Sequence, residues 1–132
     1  MDFHVDTGSR LPIYQQLVQQ IREALARGEL QPEAALPSVR QLSRELVVNP
    51  NTVARAYTEL ERDGLLVSRP GRGIYVAQPR NDLTRAARDR RLTEQLDRWL
   101  TEAVHLGYSA DQVLRLVGTR VHQFQWNAGG AA

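Results

Sequence analysis

The sequence predicts a mainly α-helical chain with one small β-hairpin. Three observations predict it. Apolar residues recur at helical spacing in five segments. Pro, Ser or Asn stands at the start of most of those segments and Gly at the end of most. Two short β-rich runs bracket Arg69-Pro70-Gly71-Arg72-Gly73, whose proline and glycines mark a tight loop.

Taken in order, residues 1–10 read as an extended arm. Pro12 sits as a first-turn proline, and Ile13, Leu17, Ile21 and Leu25 recur every fourth residue, with Tyr14, Val18 and Ala24 widening the stripe. Gly28 is placed to cap this helix, which spans about 12–27. The next stretch, GELQPEAALP, reads as a turn with two prolines. Ser38 and Gln41 have capping-box spacing and open a second helix with Val39, Leu42 and Leu46 inward. Val47-Val48-Asn49 breaks that helix. Pro50, with Asn49 as cap, starts a third helix that buries Val53, Ala56, Tyr57 and Leu60 and stops at Gly64. Leu65–Ser68 and Ile74–Ala77 then form a two-stranded hairpin.

Gln78-Pro79-Arg80-Asn81 reads as a boundary, dividing the chain into residues 1–78 and 79–132. Beyond it Leu92, Leu96, Trp99, Leu100 and Ala103 form a helical stripe ending at Gly107. Ser109 and Gln112 repeat the capping-box spacing, and Val113, Leu116, Val117, Val121 and Phe124 make a last helix before a frayed NAGGAA tail. Helix, short turn, helix and glycine-tipped hairpin is the layout of a winged helix-turn-helix, here followed by two short helices.

Composition narrows the chemistry. The 132 residues contain no cysteine, which removes disulfides, thiol nucleophiles and cysteine-ligated zinc. No apolar run approaches the roughly 20 residues of a membrane span, and the N-terminus lacks the pattern of a secretion signal, so a cytoplasmic chain without a membrane partner is expected. Formal net charge is only +2, yet all 17 basic residues are arginine. Residues 1–80 carry 10 arginines against 9 acids and the remainder 7 against 6, so a nucleic-acid footprint requires arginines gathered on one face. Arginine suits bidentate contact with phosphate and guanine.

That layout suits duplex DNA. The second helix of the pair lies in the major groove with its first residues at base edges. Here these are Asn49, Pro50, Asn51 and Thr52, with Arg55 one turn later. Asn pairs with adenine, Thr offers a hydroxyl and a methyl, and Arg grips guanine or phosphate. The start of the preceding helix, with Ser38 and Arg40, presents backbone N–H groups and a guanidinium to a phosphate. Arg69 and Arg72 flank glycines that let the hairpin approach a narrow minor groove. A winged helix used for protein contact would instead expose apolar anchors on the third helix. Asn51, Thr52, Arg55 and Thr58 there are polar.

The motifs L-P-I-Y-Q-Q-L at 11–17, L-P-S-V-R-Q-L at 36–42, N-P-N-T-V-A-R-A-Y-T-E-L-E at 49–61, D-G-L at 63–65 and G-R-G-I-Y-V at 71–76 together resemble the GntR family of bacterial transcriptional regulators. The resemblance spans about residues 10–77 in register. It implies a winged helix-turn-helix that contacts operator DNA, with contacts falling by position on Ser38, Arg40, Asn49, Asn51, Thr52, Arg55 and Gly71. Pro50 stands where several branches have arginine, so base readout there differs. About 50 residues follow the hairpin, too few for the family's large effector domains. The region resembles instead the YtrA subfamily, whose small helical tail serves dimerisation and whose members often repress transporter operons.

A dimer also follows physically. Leu92, Leu96, Trp99, Leu100, Ala103, Val113, Val117 and Val121 form two apolar stripes that a short helix pair does not hide alone. A two-fold homodimer covers them and sets two recognition helices about 34 Å apart, matching a near-palindromic operator. Catalysis is not expected: His4, His105 and His122 lie far apart without metal-ligand spacing, and Gly71-Arg72-Gly73 leads into a strand rather than a phosphate-binding helix. No cofactor or metal is expected. A small-molecule effector remains an open partner whose chemistry no residue pattern names.

Overall fold

The computed structural model describes residues 2–79 and 83–126, and the chain divides into two compact units, 1–80 and 81–132. The Arg80-Asn81 half of the expected boundary and the NAGGAA tail lie outside the described residues. The first unit runs α1 (Ile13–Ala26), β1 (Ala35–Leu36), α2 (Val39–Leu46), α3 (Pro50–Arg62), β2 (Leu66–Arg69) and β3 (Gly73–Val76); the second holds α4 (Arg85–His105) and α5 (Ala110–Val121).

Pro12 proves to be the residue before the first helical one: its extended ψ of 147° leaves its carbonyl to accept the Gln16 N–H at 3.1 Å. The stripe on α1 is as expected, with Leu17, Ile21 and Ala24 buried. Ser38 caps α2 by accepting the Gln41 N–H at 3.0 Å. Only half of the expected capping box forms: no bond from the Ser38 N–H to the Gln41 side chain is made, and that side chain lies along the helix, its Nε2 donating to Glu45 Oε1 at 3.3 Å. Asn49 caps α3 by accepting the Asn51 N–H at 2.8 Å, with Pro50 in the first turn. Leu17, Ile21, Leu42, Val53, Ala56, Tyr57 and Leu60 close the core between α1, α2 and α3, and Leu36, Leu66 and Val76 join it from the strands. The buried Tyr57 hydroxyl donates to the Pro37 carbonyl at 2.7 Å, fastening α3 to the segment that leads into α2; burial pushes its pKa above the ordinary value.

The sheet has three strands rather than the expected two, in the antiparallel order β1-β3-β2. Ala35 faces Tyr75 and Leu36 faces Ile74, and Leu66 faces Val76 across the hairpin. The hairpin strands start one residue away from their expected limits, at Leu66 and Gly73. The third strand escaped prediction because two residues between prolines show no alternation. Gly71 and Gly73 at the hairpin tip have φ of +74° and +114°, conformations that side-chain-bearing residues rarely adopt.

Two further features of this unit are absent from the periodicity. Val47, which ends α2, lies in the left-handed region at φ 56° and ψ 52°. The expected N-terminal arm is fastened along α1. Buried Gln16 accepts the Asp6 N–H at 2.8 Å and donates to the carbonyls of Asp6 and Leu11 at 2.9 and 2.8 Å. Gln20, one turn on, bonds both backbone groups of His4. Phe3 and Val5 thereby pack on the core.

In the second unit α4 is longer than expected, 21 residues opened by Thr84, whose side chain accepts the Ala87 N–H at 3.2 Å. The apolar stripe marks only its later part, so its first turns left no periodic signal. Ser109 and Gln112 form the full capping box of α5. Phe124 lies past the end of α5, beside Trp126, whose indole N–H donates to the Val121 carbonyl at 2.7 Å.

Candidate nucleic-acid interface

Three surfaces carry the expected contact residues: the start of α2, the start of α3 and the hairpin tip. None of Ser38, Arg40, Asn49, Asn51, Thr52, Arg55, Arg69, Gly71 and Arg72 is buried; Thr52 and Arg69 are half-buried and the rest are exposed. Ser38 and Arg40 stand in the first turn of α2, beside the Pro37 carbonyl that Tyr57 ties to α3. Asn49 Oδ1 is used by the cap, and Asn51 presents its side chain outward one residue into α3. α3 exposes Asn51, Arg55 and Thr58 and no large apolar side chain.

Arg55 is placed by a residue that the sequence marked only as part of an apolar stripe. Its guanidinium lies 3.8 Å from the ring centroid of Tyr14 on α1, and its Nη2 donates to the Tyr14 hydroxyl at 3.1 Å. Gln15 Nε2 donates to the same hydroxyl at 3.0 Å. The 41-residue separation of the pair hid it from any local pattern.

On the wing, the two arginines differ. Arg69 pairs with the Glu33 carboxylate and lies 4.7 Å from the Tyr75 ring centroid. Gln78 Nε2 also donates to Glu33, at 3.1 Å. These hydrogen bonds, the one from Arg69 foremost, hold the Glu33 carboxyl below its ordinary pKa. Arg72 stands exposed at the tip, where its carbonyl accepts the Tyr75 hydroxyl at 3.1 Å.

Charge pairing separates the arginines of this unit. Arg22, Arg27, Arg62 and Arg69 each pair with a carboxylate. No ion pair among the described residues engages Arg40, Arg55 or Arg72, nor Arg10 and Arg44, which lie outside the expected contact set. Guanidinium groups left without internal counterions are the ones available to phosphate.

The expected association residues divide as well. Leu92, Leu96, Trp99, Val117 and Val121 are exposed, Leu92 by 68%, and Leu100 is half-buried. Ala103 and Val113 are already buried in the unit and have little surface left to offer. Leu96, Trp99, Val117, Val121, Phe124 and Trp126, with Leu116 and Arg120, line an open, mostly apolar groove of about 480 Å³. Among the described residues no group of three metal-ligating side chains occurs, and no helix is long and apolar enough to cross a membrane.

Residues 13–76 match the family model of bacterial regulatory proteins, gntR family. The chain is 35% identical over 109 residues to the HTH-type transcriptional repressor YtrA of Bacillus subtilis, covering 83% of this chain and 84% of that one. Its structure resembles a transcriptional antiterminator from Listeria monocytogenes, with a TM-score of 0.79 at 29% identity over 97% of this chain and 96% of that chain. It also resembles the DNA-binding domain of AraR in complex with an operator, with a TM-score of 0.53 at 28% identity, covering 57% of this chain and 95% of that chain.

Proposed function

Because the chain belongs to the gntR family of bacterial regulatory proteins, we propose that it is a DNA-binding transcriptional regulator that binds a near-palindromic operator as a homodimer and represses. It is a regulator and not an enzyme. The observation that carries the reading is the outer face of α3, which offers Asn51, Arg55 and Thr58 with no apolar anchor. A protein-docking helix needs such an anchor; a major-groove helix needs donors and acceptors at base edges.

On this reading α3 enters the major groove, with Asn51 and Thr52 at base edges and Arg55 gripping guanine or phosphate. Asn49 holds the start of the helix in shape. Ser38 and Arg40 meet a phosphate at the start of α2, where free backbone N–H groups add to the attraction. Arg72 and Gly71 follow the minor groove, and Arg69 joins when phosphate competes with Glu33 for its guanidinium. Association through Leu92, Leu96, Trp99, Leu100, Val117 and Val121 pairs two such modules on a two-fold operator, and occupancy then blocks access to the promoter.

The test titrates the full chain against DNA from upstream of its own gene and against an unrelated duplex at physiological salt. Preference for its own promoter, weakened by both Arg40→Ala and Asn51→Ala, supports the reading. Equal, weak binding to both fragments that neither substitution alters would overturn it.

A further inference from the structure

The first two turns of α4 carry charge that neither the fold nor the proposed recognition surface uses. Residues 85–91 hold Arg85, Arg88, Arg90 and Arg91 against the single acid Asp89. Residues 92–121 hold three arginines against four acids, so positive charge in the two helices is concentrated in this one stretch. No acid stands in the first turn, and no ion pair among the described residues engages any of the four arginines. Arg85, Arg90 and Arg91 are exposed and Arg88 is half-buried.

Local stability opposes this arrangement. The start of a helix carries partial positive charge from its backbone, so acids stabilise it and each cation there costs about 0.3–1 kcal/mol. α1 has no basic residue in its first turn, and α5 places Asp111 in its own. The side-chain chemistry is also specific. A planar guanidinium matches the two oxygens of a phosphate, and duplex DNA repeats phosphates about every 1.7 Å of axis. Arg85, Arg88 and Arg91, three residues apart, neighbour one another in pairs on the helix surface and extend along it for about 9 Å.

We propose that Arg85, Arg88 and Arg91 form a second, sequence-independent contact with duplex DNA, gripping backbone phosphates outside those met by α2, α3 and the wing. The proposal rests on the DNA-binding reading and extends it to a residue set beyond the winged unit. The partner is DNA rather than an acidic protein surface because residues 85–91 hold no apolar side chain larger than Ala86 and Ala87, and Leu92, exposed by 68% at the edge of the patch, begins the apolar stripe assigned above to self-association. The patch supplies affinity and salt sensitivity, while α3 supplies specificity.

The test measures how the affinity of the full chain for a 40-base-pair duplex without an operator, and for the upstream fragment, depends on salt. Three proteins are compared: the natural sequence, Arg85→Gln/Arg88→Gln/Arg91→Gln, and the matching triple lysine variant. We expect the glutamine variant to lower the salt slope by about 2–3 on both duplexes. The ratio of specific to unspecific affinity should hold, and lysine should restore the slope. Thermal melting should show the glutamine variant at least as stable as the natural chain, which separates lost contacts from lost folding. An unchanged slope in a chain that still prefers its upstream fragment overturns this proposal alone. A retained DNA slope with lost binding to phosphatidylserine vesicles also overturns it, in favour of a membrane surface. No salt-dependent binding of the natural sequence to either duplex overturns both this proposal and the reading beneath it.

Discussion

Val47 is the strained residue at the turn between the two central helices. A β-branched side chain in the left-handed region costs about 1–2 kcal/mol, and 88% exposure leaves little packing in return. Glycine relieves the strain but gives back about 0.5–1 kcal/mol of unfolded-state entropy. Val47→Gly should therefore raise unfolding stability by about 0.5–1 kcal/mol in urea denaturation. A loss of stability would show that the isopropyl group makes a compensating contact. Tyr14 poses a second question at this scale, because it stacks under Arg55 and also bonds it. Tyr14→Phe keeps the ring and removes the hydroxyl, so operator affinity should fall about fivefold, the worth of one hydrogen bond. In an Arg55→Ala background the same change should cost much less, and a double-mutant cycle on operator affinity reads the coupling directly. Fully additive losses would make Tyr14 independent of Arg55.

Among the elements, the wing carries a titratable clasp. Glu33 sits before β1 and Arg69 ends β2, 36 residues apart, so their pairing holds the loop before β1 to the hairpin. The Glu33 carboxyl is held below its ordinary value of 4.5, so its contribution is present above that value and is lost as pH falls through the depressed one. Melting curves of the natural chain and of Glu33→Gln should differ at neutral pH and converge in acid. A difference that persists in acid would place the stabilisation in the neutral hydrogen bonds. Legibility at this scale followed length and period. α1, α3 and α5 are amphipathic, α3 and α5 open on side-chain caps, and all three lie within a residue of expectation, except that Phe124 falls beyond α5. β1 is two residues long and offers no alternation, and the arginine-rich opening of α4 offers no apolar stripe. The candidate contact residues were legible as residue types, and the structure carries them unburied on the elements where the periodicity put them. Their tethers were not, because Tyr14 to Arg55 and Glu33 to Arg69 are made between distant segments.

For the whole molecule the decisive quantity is oligomeric state. The tail exposes Leu92, Leu96 and Trp99 along one helix, far more apolar surface than the winged unit shows. If that surface joins two copies, Trp99→Glu buries a charge in the interface and should yield a monomer by sedimentation, with the winged unit still folded. Operator affinity should then drop by about a hundredfold or more, because the second module no longer binds as part of one ligand. A Trp99→Glu chain that sediments like the natural one would move the interface elsewhere. The short strand β1 has a consequence beyond completing the sheet. Pairing Leu36 with Ile74 puts the wing in register with the segment that runs straight through Pro37 into the cap of α2. On the proposed DNA-binding reading, this pairing sets the hairpin and the helix start as two jaws of one gauge. A gauge with set jaws selects duplexes by how cheaply they bend or narrow to fit. Base changes that stiffen the DNA at positions no side chain reaches should therefore lower affinity as surely as changes under α3.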